Sequence, residues 1–264
     1  MNKPPQPPPI NAFMEGATED GVLQVLVERK LLPKGLIESA TKRTRDGSQT
    51  QDKPKGKEEM RSCLHEELRR RLPIPDRREL SLLVVQDQDQ NQPAELVDGI
   101  QKLLGNHNVE ARLTPIPGVE GAYQLHDSEQ RLRLALVIAR WDGVKEFFPD
   151  ISNPSMDDYI LALAMLPATA AGIVEKRQTG RPNLSADTLL AKVRTEIPAL
   201  LAQNGFSAFR YAKDHIRFYA ALIGESTSPV AFAKIVVKHA DEADLRSHFA
   251  SLLAAVAFLS PPTT

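Results

Sequence analysis

Apolar residues follow two different spacings along the chain. In the first half, the apolar run at 80–85 and the strand-like segments at 10–14, 109–114 and 132–138 are typical of strands, and apolar positions at helical spacing separate several of them. Val22, Leu26 and Leu31 mark one such helix, and Met60, Leu64 and Leu68 mark another that ends in three arginines. This alternation predicts a mostly parallel sheet with helices on both faces.

The second half of the chain is predicted to be helical. After Asn153 the apolar spacing favours helices over five segments, which are 155–166, 184–203, 206–223, 229–239 and 241–259. We therefore expect an α/β fold with three parts: a proline-rich leader at 1–9, a sheet domain at 10–145 with a polar basic loop near 41–58, and a helical region at 150–264.

Composition narrows the class of protein. Lys and Arg number 33 against 34 Asp and Glu, so any contact with nucleic acid must come from a local patch. Cys63 is the only cysteine, which excludes an intramolecular disulfide and fits a reducing compartment. No stretch has the apolar length of a membrane span or a secretion signal, so we expect a cytoplasmic protein with no membrane partner.

Acidic residues follow two of the predicted strands. Asp87 and Asp89 leave the strand at 80–85, and Glu15 leaves the strand at 10–14. The carboxyl ends of neighbouring parallel strands meet in one crevice, so these acids are candidates to share a hard divalent cation such as Mg²⁺ or Mn²⁺. The alternative for Asp87 and Asp89 is a polar turn at the end of a buried strand.

These residues resemble the Toprim family, whose fold is shared by topoisomerases, bacterial primases and nucleases of the overcoming-lysogenization-defect type. The segment Glu15-Gly16-Ala17-Thr18-Glu19 looks like the family's glutamate motif. The run 82–89, Leu-Leu-Val-Val-Gln-Asp-Gln-Asp, is similar to its strand followed by Asp-x-Asp. Asp157-Asp158-Tyr159 looks like an acidic helix motif of stand-alone Toprim-like proteins.

The resemblance implies roles for the individual acids. Asp87 and Asp89 would bind metal, Glu15 would bind metal or act as general acid and base, and Glu19 and Asp158 would serve a second ion. Catalysis would then depend on Glu15, Asp87 and Asp89. A structural alternative for Glu19 and for the acids at 157 and 158 is stabilisation of a helix amino terminus, where Thr18 is also a candidate cap.

Basic residues provide candidate contacts to a nucleic-acid backbone. Lys53, Lys55 and Lys57 belong to the polar loop, and Lys213 lies in a later helix where the resemblance suggests a phosphate contact. The alternative for each of the four is an ordinary solvated lysine. The alanine-rich segment at 249–259 is a candidate for burial against a second copy of the chain.

The resemblance thus implies a metal-dependent nuclease acting on DNA or RNA. The chain lacks a Gly-x-x-x-x-Gly-Lys-Ser/Thr loop, so any ATP dependence requires a partner ATPase, as the resemblance to proteins of bacterial antiviral defence suggests. The family's glycine-rich step before the second strand is absent, and no glycine closely follows Asp89. Those departures favour the alternative function, a catalytically inactive binding or regulatory subunit of a larger complex.

Overall fold

The fold is built on a mixed six-stranded sheet. In the computed structural model, residues 9–40, 52–75, 77–177 and 184–260 can be described. The sheet order is β2-β1-β3-β6-β5-β4; the first four strands pair in parallel, and β5 pairs antiparallel with both β6 and β4. The strands are β1 (Ile10–Met14), β2 (Ile37–Ser39), β3 (Leu80–Asp87), β4 (Thr114–Pro115), β5 (Ala122–Asp127) and β6 (Leu132–Ala139).

Helices fill most of the remaining described chain. Those beside the strands in sequence are α1 (Ala17–Glu28), α2 (Lys57–Arg71) and α3 (Pro93–Gly105). The later ones are α4 (Met156–Ala164), α5 (Pro167–Arg177), α6 (Ala186–Ala191), α7 (Ile197–Gln203), α8 (Ala212–Leu222), α9 (Pro229–His239), α10 (Glu242–His248) and α11 (Ala250–Leu259). Within the described ranges, no single helix has both the length and the apolarity needed to cross a membrane.

The alternation of side chains along the strands divides the core into two layers. In β3, Leu82 and Val84 face the cluster that α2 and α3 cover, whereas Leu83 and Val85 face the opposite cluster. That second cluster contains residues of α1, α4, α8, α9 and α11. Helices therefore cover both faces, as the sequence predicts, and the C-terminal helical region is itself one of the two covers.

One predicted strand is largely replaced by irregular chain. Of the segment 109–114, only Thr114 pairs in the sheet, as part of the two-residue β4. The side-chain amide of Gln101 donates to the Ala111 carbonyl at 3.0 Å and accepts from the Leu113 N–H at 3.0 Å. Because this one amide satisfies backbone groups that a ladder would otherwise pair, the segment packs on α3 without strand partners.

Several boundaries also differ from prediction. β2 and β5 are additional strands, and the helix predicted at 206–223 begins only at Ala212. The segment 241–259 breaks into two helices at Phe249, whose side chain is 1% exposed.

The apolar helix α11 packs against the sheet of the same chain. Leu252, Val256 and Leu259 are buried, and the helix contacts β5 and β6. The face predicted to meet a second copy is therefore covered by the chain's own sheet. Burial of each leucine against that sheet contributes roughly 1.5–3 kcal/mol to folding.

Candidate active site

The carboxyl ends of β1 and β3 hold the first two acids together. These strands are parallel neighbours with Met14 opposite Val85, so Glu15 and Asp87 leave the sheet at the same edge. The Glu15 Oε2 atom accepts a hydrogen bond from the Asp87 backbone N–H at 3.1 Å. The Glu15 side chain therefore turns toward the end of β3 and not away from it.

The amino terminus of α4 closes the same edge from the helical region. The Met156 N–H, in the first turn of α4, donates to Asp87 Oδ1 at 2.8 Å. This bond joins residues 69 positions apart and places a helix amino terminus, with its partial positive charge, against the carboxylate. The approach of α4 is what brings its acidic first turn to the strands.

Together these elements enclose a small acidic pocket. A cavity of about 210 Å³ is lined by Glu15, Gly16, Thr18, Glu19, Gly56, Asp87, Met156 and Asp157. Four of those residues carry carboxylates, and they come from three separate stretches of sequence. We refer to this cavity as the acidic pocket.

Glu19 is the most deeply buried of the four acids. Its side chain lies in the first turn of α1, and the residue is 3% exposed. Its carboxylate accepts hydrogen bonds from the backbone of Gly16 and of Glu19 itself, so it has the helix-terminus role considered for it from sequence. Its Oε2 atom, however, is buried without a hydrogen-bond partner, which leaves one acceptor available to a ligand.

Gly16 makes room for this carboxylate. A Cβ atom at position 16 would lie 2.9 Å from Glu19 Oε2, closer than ordinary contact allows. The glycine that follows Glu15 is thus required by the packing of an acid three residues later. It is also the N-cap of α1, so Thr18 is not the cap.

Burial and mutual repulsion raise the pKa values of the acids in this pocket. Burial raises the pKa of Glu19 to about 7, with further contributions from the charges of Asp157 and Glu15. Burial and the charges of Glu19 and Glu15 raise the pKa of Asp87 well above its ordinary range. Burial also raises the pKa of Glu15, although Lys57 opposes that shift, and it raises the pKa of Asp157 to about 6.

Asp157 and Asp158 have different roles at the start of α4. Ser155 is the N-cap, and the Asp158 carboxylate accepts from the Ser155 N–H at 2.9 Å in a capping box. Asp158 is not among the pocket-lining residues, whereas Asp157 is, with a hydrogen bond to the Thr18 side chain. The signal that separates them is in the sequence, because Ser-x-x-Asp is a capping-box spacing that engages one oxygen of the second aspartate.

Asp89 lies outside the lining of the pocket. It has a positive φ of 51°, which ends the extended geometry that would have aligned it with Asp87. Its side chain, 44% exposed, forms an ion pair with Lys57 at 2.6 Å. The structure therefore brings together Glu15, Glu19 and Asp87, adds Asp157, and places Asp89 and Asp158 beside them.

The four candidate lysines are distributed around this region. Lys57 begins α2 and lowers the pKa of Glu15, and the charge of Lys213 lowers the pKa of Asp157, so both act on pocket acids. Lys53 pairs with Asp20, and the Lys55 backbone N–H donates to Glu59. The rest of the predicted basic loop, 41–51, lies outside the described residues, as does most of the leader at 1–9.

The donor chemistry of the pocket fits a hard divalent cation. Carboxylate oxygens are the ligands such ions prefer, and Glu19 Oε2 and Asp157 Oδ1 are buried there without hydrogen-bond partners. Over the described part of the chain, no group of three or more His, Cys, Asp or Glu side chains stands in an arrangement that could hold a metal ion. Side-chain rotation within the pocket is therefore needed before several of these acids can share one ion.

Comparison with known proteins does not add a family to this description. No protein-family model, no curated protein and no solved structure matches the chain significantly.

Proposed function

We propose that the chain is a cytoplasmic nuclease that depends on Mg²⁺ or Mn²⁺ and hydrolyses phosphodiester bonds of DNA or RNA. The observation that carries the proposal is the acidic pocket, where four carboxylates from three stretches of sequence meet. The ionised form of a buried acid with an unpartnered oxygen, such as Glu19, is energetically unfavourable unless a proton or a ligand compensates its charge. A divalent cation is the compensating group that carboxylates bind most readily.

The resemblance to the Toprim family supports the same assignment. Its glutamate motif corresponds to Glu15 and its first aspartate to Asp87, and both line the pocket. For the remaining metal ligands we propose Glu19 and Asp157, with Asp89 and Asp158 in supporting positions. The cation, when bound, would stabilise charge on the phosphate and make a bound water more nucleophilic.

The chain's own residues can orient and protonate the substrate. Glu15 has a raised pKa and follows the carboxyl end of β1, so it can exchange a proton with a water or a leaving oxygen. Gly16, Gly56 and Ser155 are the N-caps of α1, α2 and α4, and residues at all three amino termini line the pocket. Their partial positive charge favours a phosphate there. Lys213 adds a full charge near Asp157.

A second candidate function is a regulatory subunit that keeps the fold without chemistry. The arrangement of the acids favours it, because no three of the described metal-ligating side chains surround one point. The ion pair of Lys57 with Asp89 also occupies an acid that the resemblance would give to metal. In either function we propose that any ATP dependence comes from a partner ATPase, since the sequence has no P-loop of its own.

Nuclease assays separate the two candidates. The purified chain, with and without a candidate ATPase, is incubated with single-stranded and duplex DNA and RNA in Mg²⁺ or Mn²⁺. We expect cleavage that falls at least ~100-fold in Asp87→Asn and Glu15→Gln. Glu242→Gln is the matched control, because Glu242 pairs with Arg246 on the exposed helix α10. Absence of cleavage under all conditions would favour the regulatory subunit.

Metal binding gives a readout that does not depend on activity. Mn²⁺ binding to the chain is measured by electron paramagnetic resonance in wild type, Asp87→Asn, Asp157→Asn and Asp158→Asn. We expect weaker binding in the first two variants and little change in Asp158→Asn, because Asp158 does not line the pocket and its Oδ2 atom accepts from the Ser155 N–H in the capping box. Equal binding by all four proteins would refute the assignment of these ligands.

A further inference from the structure

A second and larger cavity lies next to the acidic pocket. It has a volume of about 420 Å³ and is lined by residues from the ends of β3 and β6, from α4 and from the α10–α11 junction. Tyr123, Trp141, Tyr159 and His248 contribute aromatic rings to its wall. Trp141 stacks on His248 with ring centroids 4.4 Å apart, and it lies 5.5 Å from Tyr159. We refer to it as the aromatic cavity.

The aromatic cavity also contains an unused hydrogen-bonding group. Gln88 lines it and is 8% exposed, and its side-chain oxygen is buried without a partner. Leaving a buried amide oxygen unpaired is unfavourable in a folded protein, because its lost hydration is not replaced. A planar ligand with an N–H donor would both stack on the aromatic wall and satisfy Gln88.

The position of Trp141 depends on a glycine. A Cβ atom at Gly143 would lie 2.6 Å from the Trp141 indole nitrogen, so the indole occupies space that any other residue at 143 would take. Gly143 lies in the short 3₁₀ helix that follows β6. This close approach sets the indole at the cavity wall.

The two cavities flank the end of a single strand. Asp87 lines the acidic pocket and Gln88, the next residue, lines the aromatic cavity. On α4, Asp157 likewise lines the acidic pocket and Tyr159 lines the aromatic cavity. The charge of Asp87 contributes to the raised pKa of Tyr159. A nucleotide whose phosphate lies at the acids would therefore have its base near the aromatic cavity.

We propose that the aromatic cavity binds one unpaired nucleobase of a nucleic-acid strand, stacked against its aromatic wall and hydrogen-bonded to Gln88. This inference rests on the proposed function for its substrate class, and it adds a preference for single-stranded or locally unpaired substrate. A base inside a duplex presents neither of its faces and cannot enter the cavity. Aromatic stacking is tolerant of base identity, so Gln88 is the group that orients the base.

The chain carries its own probe for this site. Trp141 is its only tryptophan, so tryptophan fluorescence, excited selectively over the four tyrosines, reports on the cavity wall. Nucleosides, nucleoside monophosphates, a short single-stranded oligonucleotide and its duplex are titrated without divalent metal, with ribose 5-phosphate as the ligand that lacks a base. We expect saturable quenching by the ligands with accessible bases, tightest for the single strand, and no effect of ribose 5-phosphate or the duplex.

Two variants and one control test the geometry. Gly143→Ala, which displaces the indole, and Gln88→Leu, which removes the amide, should each weaken base binding about tenfold. Gly105→Ala is the control, because its added Cβ would meet no atom within 4 Å. Far-ultraviolet circular dichroism verifies that each variant folds.

The outcomes distinguish this inference from the nuclease proposal. Base binding that persists in a chain without cleavage activity supports the aromatic cavity and rejects only the nuclease. Cleavage without any quenching by bases overturns the cavity assignment and leaves the nuclease intact. Tighter binding of free monophosphates than of the oligonucleotide would overturn the strand as the source of the base, and unchanged binding in both variants would overturn the site.

Discussion

Neutralising Glu19 should stabilise the folded protein above neutral pH. The residue is 3% exposed, and burial together with nearby negative charges raises its pKa from 4.5 to about 7. The substitution Glu19→Gln keeps the side-chain oxygen that the backbone N–H groups contact, and it removes the charge. A residue with a structural carboxylate would be expected to lose stability on this change, so the predicted sign is informative.

The size of the effect follows from linkage between protonation and folding. Below about pH 4.5 Glu19 is protonated in both the folded and the unfolded chain, so its titration does not lower the free energy of unfolding. Between about pH 4.5 and 7 the unfolded chain releases the proton first, and the folded state progressively loses stability. Above pH 7 the full shift applies, which corresponds to about 3 kcal/mol.

The free energy of unfolding is measured by urea denaturation of the metal-free protein from about pH 5 to 8.5, in wild type and in Glu19→Gln. We expect the variant's advantage to be small at the acidic end and to grow toward 3 kcal/mol, roughly, at the alkaline end. Asp87 should add to the trend, because the charge of Glu19 contributes to its raised pKa. Glu242→Gln should differ from wild type by no more than about 0.5 kcal/mol at every pH.

Two results would refute this reasoning. A difference between Glu19→Gln and wild type that does not change with pH would mean that the Glu19 carboxylate does not titrate as its burial requires. A variant that is less stable than wild type at about pH 8 would mean that the ionised carboxylate is compensated within the chain. In that case Glu19 would not need a cation to compensate its charge.

Three further substitutions test other parts of the structure. Gly16→Ala places a Cβ atom 2.9 Å from Glu19 Oε2, so we expect at least ~10-fold loss of Mn²⁺ affinity, measured by isothermal titration calorimetry. Gln86→Met removes two buried amide atoms that have no hydrogen-bond partner, so urea denaturation should show a gain of about 1–2 kcal/mol; a loss would show that the amide is satisfied. Tyr219→Phe removes a buried hydroxyl that donates to the Ala164 carbonyl at 3.1 Å, and we expect a thermal and urea-induced destabilisation of about 1–2 kcal/mol.

The elements with strong periodic patterns were predictable from sequence. The segments that form β1, β3 and β6 are rich in apolar residues, and α2 and α9 have regular apolar spacing. Segments whose backbone is satisfied by distant groups were not predictable in this way. Residues 109–114 look like a strand, but the amide of Gln101 from α3 pairs with them, and nothing local indicates that contact.

The candidate site was predictable in part. Glu15 and Asp87 follow apolar runs, and parallel pairing of β1 with β3 places them at one edge, as strand-end acids in an α/β fold are expected to lie. Asp89 was expected beside Asp87, but the positive φ of Asp89 sends its side chain to Lys57. Asp157 lines the pocket, whereas Asp158 forms the capping box of α4 with Ser155. The capping-box spacing is visible in the sequence, but only the three-dimensional structure shows that α4 begins at the pocket.

The sequence by itself determined where the strands end, which acids follow them, and that one cysteine and no P-loop restrict the available chemistry. The tertiary structure alone decided which of those acids meet. The reason is that the acidic pocket is closed by α4, which reaches the strands from 69 residues away and donates a backbone N–H to Asp87. Local patterns fix the conformation of each segment, whereas the packing of the helical region on the sheet fixes the distances between segments, and the chemistry of the pocket depends on those distances.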